Sequence, residues 1–278
     1  MWKIIKETII DFALTLFSVF DWRNDKFSCA EKDENAVLYR WLLAAAIIFG
    51  IFLRLYLFWQ EPQLCRDAIY YLELASIWSK GSFSSLIEYN ATFQIPPVML
   101  GFIQLFIRAG FSPLVAGISL NLFAGTVLIP IFYLIAKYLF ESRKAGVTAA
   151  FLTAFNPVLT DYSTDVMREN FMLLFLALAL LGILLGFRRN TIWFAPGGFF
   201  TVFGIFSRYE ALEVMPLLVL TFVLFGIFRI HPWKKLFIGS GLFIIGMIAA
   251  FILILSVCGI SANYFLGSVL IKIKKTLL

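Results

Sequence analysis

The chain has 278 residues, of which 61% are hydrophobic, 18% aromatic and only 14% charged, with a formal net charge of +6. A water-soluble domain carries nearly twice that share of charge and has no core large enough for so much apolar surface, so a soluble globular enzyme is excluded and lipid is the solvent that fits. The positive balance comes without a basic stripe interleaved with aromatics, so it reads as loop charge on a membrane protein rather than as a nucleic-acid footprint.

The first twenty residues, Met1 to Phe20, are amphipathic. Glu7 and Asp11 interrupt the apolar stretch, which argues against a signal peptide and for a helix lying on the membrane surface. A charged linker, Asp21 to Glu34, completes a first unit over residues 1–35. Apolar runs long enough to span then follow at Leu38–Trp59, Pro113–Tyr138, Ala145–Thr160, Phe171–Phe187, Thr191–Phe206, Leu212–Phe228 and Leu236–Cys258. They predict an all-α bundle of about seven spans over residues 36–260. Residues 261–278 read as an extracytoplasmic tail or the start of a further part. Arg54 stands in the outer part of the first span. Its expected behaviour is snorkelling to the interface, and contact with a lipid phosphate is the sharper reading. Cys29, Cys65 and Cys258 have neither zinc nor disulfide spacing.

The apolar stretch Pro96–Ile107 is shorter than a span and opens on two prolines. Charge decides its place. If it lies at the interface and the N-terminus is cytoplasmic, then Lys137, Arg143, Lys144, Arg188, Arg189, Arg229, Lys234 and Lys235 all fall inside. That is the positive-inside pattern, and counting the stretch as a span would reverse it. The prediction is therefore juxtamembrane helices in a long first outer loop.

Three outer loops then gather an uncommon set of groups. The first runs from about Gln60 to Phe111 and carries Arg66-Asp67, Tyr70-Tyr71 and Glu73. In a helix Asp67 and Tyr71 share a face. The second holds Asp161, Asp165 and Glu169 at every fourth residue, with Arg168 beside them. The third is Ser207-Arg208-Tyr209-Glu210, with Glu213 following. Charges in long outer loops need no explanation beyond water. Those in short loops at helix ends must face a protein interior or a polar cavity, because facing lipid is costly. Such an interior is either an ion-pair network or a site.

A carboxylate in an interfacial cavity can act as general base toward a hydroxyl, and arginines can hold a phosphate as it leaves. A wall of Phe and Leu can admit a lipid tail. Together these suit transfer of a group from a lipid phosphate to an acceptor outside the cytoplasm. Walker, HExxH and GxSxG motifs are absent from the sequence, and the single histidine, His231, falls in an inner loop. A lipid-linked-sugar transporter would show ionisable groups at mid-span, where this chain has almost none. A non-catalytic partner of a transferase is the other rival.

The order of these features resembles the membrane glycosyltransferases of the GT-C fold, closest to the protein O-mannosyltransferase and aminoarabinose-transferase-like group. The resemblance runs from about Leu38 to Leu220. It rests on Asp67, Tyr70-Tyr71, Ala75 and Gly81 in the first loop, and on Gln94-Ile95-Pro96-Pro97 before an interfacial helix. Tyr138-Leu139-Phe140, Asn156-Pro157, the acidic loop Asp165–Glu169, Ser207-Arg208-Tyr209-Glu210 and Pro216 follow in order. It implies a polyprenyl-phosphate sugar as donor, inversion at the anomeric carbon, and a protein, lipid or glycan acceptor at the outer face of the cell's inner membrane. By the same resemblance Asp67 is the catalytic residue. Arg208, Arg168 and Arg66 are expected to bind the donor phosphate, and Tyr71, Asp165, Glu169 and Glu210 to line the pocket. A divalent Mg²⁺ or Mn²⁺ ion is an open alternative use of the carboxylates. The sequence departs from the group at Gln94-Ile95, where the aminoarabinose branch has Glu-Lys, and at Ala68, where the mannosyl branch has Glu after the Asp. The group also continues through further spans beyond the length of this chain.

Overall fold

The computed structural model describes residues 35–60, 64–89 and 96–259, together with Asn263 and Gly267. The expected N-terminal surface helix, the charged linker, Gln94-Ile95 and nearly all of the tail lie outside those residues. The described residues fold into helices and turns, with no strand among them.

In chain order the helices are α1 (Ala36–Gln60), α2 (Arg66–Lys80), α3 (Phe83–Tyr89), α4 (Pro97–Arg108), α5 (Pro113–Phe140), α6 (Arg143–Phe155), α7 (Pro157–Thr164), α8 (Arg168–Arg188), α9 (Phe194–Ile205), α10 (Val214–Ile227) and α11 (Trp233–Cys258). Short 3₁₀ turns at Thr191–Trp193 and Tyr209–Glu213 lead into α9 and α10. Caps set many of these boundaries. Ser112 precedes Pro113, and its Oγ accepts from the Val115 amide; Ser142 does the same for Ala145. Proline fits the first helical position because it has no N–H to leave unpaired.

Five helical segments are long and apolar enough to cross a bilayer: Val37–Gln60, Pro113–Phe140, Arg168–Arg188, Tyr209–Ile227 and Trp233–Cys258. Two expected spans take another form. The run Ala145–Thr160 breaks into α6 and α7 at Asn156-Pro157, where the Asn156 side chain accepts from the Leu159 amide and starts a new helix. The run Thr191–Phe206 is a 3₁₀ turn joined to the 12-residue α9. Contacts at the helix ends still require both runs to pass from one end of the bundle to the other. At one end Arg188 pairs with Glu141, Arg189 donates to the Tyr138 hydroxyl, and Lys235 donates to the Phe187 carbonyl. At the opposite end Arg208 pairs with Glu169, and the Val98 amide donates to the Phe206 carbonyl. The chain thus passes between the two ends by α1, α5, α6–α7, α8, α9, α10 and α11, of which α6–α7 and α9 are not by themselves long enough to span.

The first end is basic. It collects Lys137, Arg143, Lys144, Arg188, Arg189, Arg229, Lys234 and Lys235 against Glu141. The second end is acidic and mixed, and there α2 packs against α3 and α4, and α4 against α5.

The packing of α9 is closest of all. A Cβ at Gly198 would fall inside the contact distance of the Phe243 carbonyl on α11, and one at Gly246 inside that of Ala195 on α9. Only hydrogen fits where two helix backbones meet this way, which is how small residues bring membrane helices together. On its other side α9 meets α8 at Gly182 and Gly197. This clasp fixes the height of Arg208, three residues past the end of α9.

Candidate active site

The acidic end is built where the three outer loops meet. α2 begins at Cys65, whose sulfur caps the helix by accepting from the Ala68 amide at 3.3 Å. Asp165 reaches across from the second loop. One of its oxygens accepts from the Cys65 amide at 3.1 Å and the other from the Val166 amide at 2.7 Å. Asp165 therefore staples the first loop to the second. Burial, and then the hydrogen bond to Asp165, push the Cys65 thiol up, so it stays protonated.

Tyr71 lies one helical turn beyond Asp67 on α2 and is 4% exposed. The Arg168 guanidinium sits over its ring, 5.1 Å from the centroid. Burial pushes the phenol up to about 12; Arg168 opposes the rise, while Asp67, Glu169 and Cys65 add to it. Tyr71 thus remains an O–H at neutral pH, and the charges named around it mark where the two loops converge. Asp67 and Arg66 are exposed on the first turn of α2.

Arg208 is the centre of the third loop. Its Nη1 pairs with Glu169 of α8, and its Nε meets Glu210 at 3.4 Å. Two carboxylates on one guanidinium fix its plane. Next to this pair, the Arg168 Nε is buried without a hydrogen-bond partner. A buried, unmet donor on a cation is costly.

Other charged groups at this end are spent on structure. Arg108 donates to the carbonyls of Trp78, Ser79 and Gly81, which closes the C-terminus of α2. Glu73 accepts from the Tyr89 hydroxyl at 2.7 Å. Asp161 and Glu213 are exposed. Among the described residues no three His, Cys, Asp or Glu side chains gather as a metal site. An apolar cavity of about 180 Å³ opens between α2, α4, α9 and α11, lined by Trp78, Pro97, Phe102, Phe203 and Ile254 among others.

The structure thus joins Tyr71, Arg168, Glu169, Arg208 and Glu210, and places Asp67 within electrostatic reach of Tyr71. It leaves Arg66 at the surface, with no ion pair or hydrogen bond to its side chain among the described residues. Sequence reading did not find the Cys65 cap or the buried amides of Asn121 and Asn170 beneath the second loop. For Asn121 the signal is its place inside an otherwise apolar run; Asn170 stands at the edge of one, next to Arg168-Glu169.

Residues 94–259, well over half of the chain, match the dolichyl-phosphate-mannose-protein mannosyltransferase family. The chain belongs to that family. No curated protein and no solved structure matches it. Membership makes this chain a membrane glycosyltransferase in kind. The matched segment of this mannosyltransferase-family chain contains Asp165, Arg168, Glu169, Arg208 and Glu210, while Arg66, Asp67 and Tyr71 precede it.

Proposed function

We propose that the chain transfers a sugar from a polyprenyl-phosphate donor to an acceptor hydroxyl at the acidic end of the bundle. The basic end faces the cytoplasm, as the positive-inside rule requires, and the acidic end faces away from it. The observation that carries this reading is Arg208, held by two carboxylates where the outer loops meet, in a chain of the mannosyltransferase family.

In the proposed step the acceptor oxygen attacks the anomeric carbon while Asp67 takes its proton. The bond from that carbon to the phosphate oxygen breaks, and the electron pair leaves with the lipid phosphate. Arg168 and Arg208 hold the phosphate as its charge grows, with Arg66 at the rim. A single displacement of this kind inverts the anomeric centre. Glu169 and Glu210 serve by orienting Arg208. Tyr71 lines the sugar pocket as a neutral hydroxyl. The apolar cavity beside Phe203 offers the first part of the prenyl chain a lipid-like wall. Asp165, engaged with two backbone amides, acts as a structural staple.

A transporter would need a polar path between the two ends. In the described spans the ionisable group well inside the membrane is Arg54, and it is sealed by packing.

The test is transfer by the purified chain in lipid, using labelled polyprenyl-phosphate hexoses and a mixed membrane acceptor extract. Asp67→Asn should cut turnover by about 10²–10⁴-fold, the usual worth of a general base. Full activity in that variant would remove Asp67 from the chemistry. No transfer by the folded parent with its substrates supplied would favour the accessory-partner reading instead.

A further inference from the structure

The first span carries an arginine that does not snorkel. The Arg54 side chain is 0% exposed, although it stands six residues before the end of α1. Its Nη1 donates to the Gly50 carbonyl at 3.0 Å and to the Ala154 carbonyl at 3.3 Å, and its Nε donates to the Ser163 hydroxyl at 3.1 Å. The remaining nitrogen, Nη2, is buried without a partner. No carboxylate pairs with it among the described residues. Burying a cation without a counter-ion is among the costliest choices open to a membrane protein, and an arginine so placed calls for a role.

The local compensation is the helix break. α6 ends at Phe155 because Pro157 has no N–H to continue the ladder, and Asn156 turns to extended backbone. The Ala154 carbonyl then sits at the negative end of α6, where a cation is welcome. α5 is cut away to admit the group: a Cβ at Gly125 would overlap Ser163 Oγ and lie 3.3 Å from the Arg54 Nε.

From Ser163 the polar contacts continue toward the acidic end. Ser163 Oγ accepts from the Asn170 amide at 3.3 Å, and the same Asn170 nitrogen donates to the Asn121 carbonyl at 3.1 Å and the Tyr162 carbonyl at 3.0 Å. The side-chain oxygen of Asn121 accepts from the Met167 amide at 3.4 Å. Ser163, Asn170 and Asn121 are all fully buried. The thread ends in the backbone between Asp165, which staples Cys65, and Arg168 and Glu169.

We infer that Arg54, Ser163, Asn170 and Asn121 form a positioning thread that sets the second acidic-end loop against α2, and so places Arg168 and Glu169 for the donor; its bearing on the donor rests on the transferase reading above. A simple clasp between spans would need only the Ala154 contact. The thread instead runs on to the backbone amide two residues after Asp165, and none of its members touches lipid.

Cys65 gives a readout independent of transfer. Its amide is held by Asp165 and its sulfur lies 3.8 Å from the Met167 sulfur, so slackening the second loop uncovers it. In a Cys29→Ser, Cys258→Ala background, Cys65 is the remaining thiol for a small maleimide. Ser163→Ala keeps the backbone contacts of Arg54 and cuts the thread. It should speed Cys65 labelling about fivefold, the factor set by one ordinary hydrogen bond. Thr201→Ala is the control: it removes an equally buried hydroxyl in α9 that bonds only the Gly197 carbonyl, and should leave the rate unchanged. In transfer assays Ser163→Ala should also raise the donor KM about fivefold with a smaller effect on kcat, whereas simple loss of folded protein lowers activity with KM unmoved. Equal labelling in parent and Ser163→Ala, or equal acceleration by Thr201→Ala, overturns the thread. Faster labelling with an unmoved donor KM overturns its link to the site. Faster labelling in a chain whose parent transfers nothing upholds the thread and removes the transferase reading.

Discussion

Arg208 meets Glu169 and Glu210 at once, and each contact restrains a different edge of its guanidinium. Lysine could keep the charge but not the plane. Its ammonium would satisfy one carboxylate and leave the other as a negative group facing the donor. Arg208→Lys should therefore raise the donor KM by about tenfold, the scale of one lost charge-assisted hydrogen bond, and should affect kcat less. Steady-state kinetics over a range of donor concentrations decide it. A KM like the parent's would move the phosphate grip to Arg168 alone. The neighbouring Tyr71 shows how burial selects a chemical form: a phenol held neutral lets Arg168 lie on the ring face without forming an ion pair. Arg54 obeys the same physics from the other side. An averaged hydropathy reports how apolar a run is but not which way one long side chain turns, so the interface was the natural expectation and a helix break 100 residues away was not.

At the level of helices, the decisive element is the shortest crossing one. α9 reaches its neighbours through glycines, so its position is set by backbone contact and not by rotamers that can adjust. Gly246→Val would drive its Cβ into the Ala195 carbonyl and force α9 and α11 apart. Overpacking of that kind costs about 1–3 kcal/mol. The expected result is a lower thermal midpoint in lipid together with weaker donor binding, since the displaced helix carries Arg208. A lower midpoint with donor binding intact would show that the loop keeps its place by itself. The neighbouring α6–α7 leg illustrates what a linear apolar count misses. The run Ala145–Thr160 is continuous in hydropathy, yet Asn156-Pro157 inside it provides both a cap and a missing N–H, the two ingredients of a new helix start.

For the whole molecule, the division into a basic and a mixed, acidic end was legible in the sequence, because loop charge depends on composition and on alternation of the runs. The outer loops holding Arg168, Glu169 and Arg208 were legible for the same reason. How they meet was not. Arg208 and Glu169 are 39 positions apart, and Asn170 and Asn121 are 49 apart, so their contacts exist only once α5, α8 and α9 are packed. Asp165, read from the sequence as a pocket residue, accepts from the Cys65 amide, and which donor a carboxylate meets is something charge alone does not tell.

The foot of α10 is the 3₁₀ turn that follows Arg208, while along its own length Gly226 is the residue fully buried. Most of its surface is left to acyl chains, and its hold on the bundle is chiefly Phe222 and Phe225 against Phe187 and Phe194. A helix held in this way matches its apolar length to the hydrocarbon by tilting. Chain length in the surrounding lipid thus becomes an input to the geometry of Arg208 and Glu210. Reconstitution in a series of phosphatidylcholines of increasing acyl length should give a maximum of transfer at one thickness and a fall on either side. A flat response would show that the glycine clasp of α9 isolates the loop from the elasticity of the bilayer.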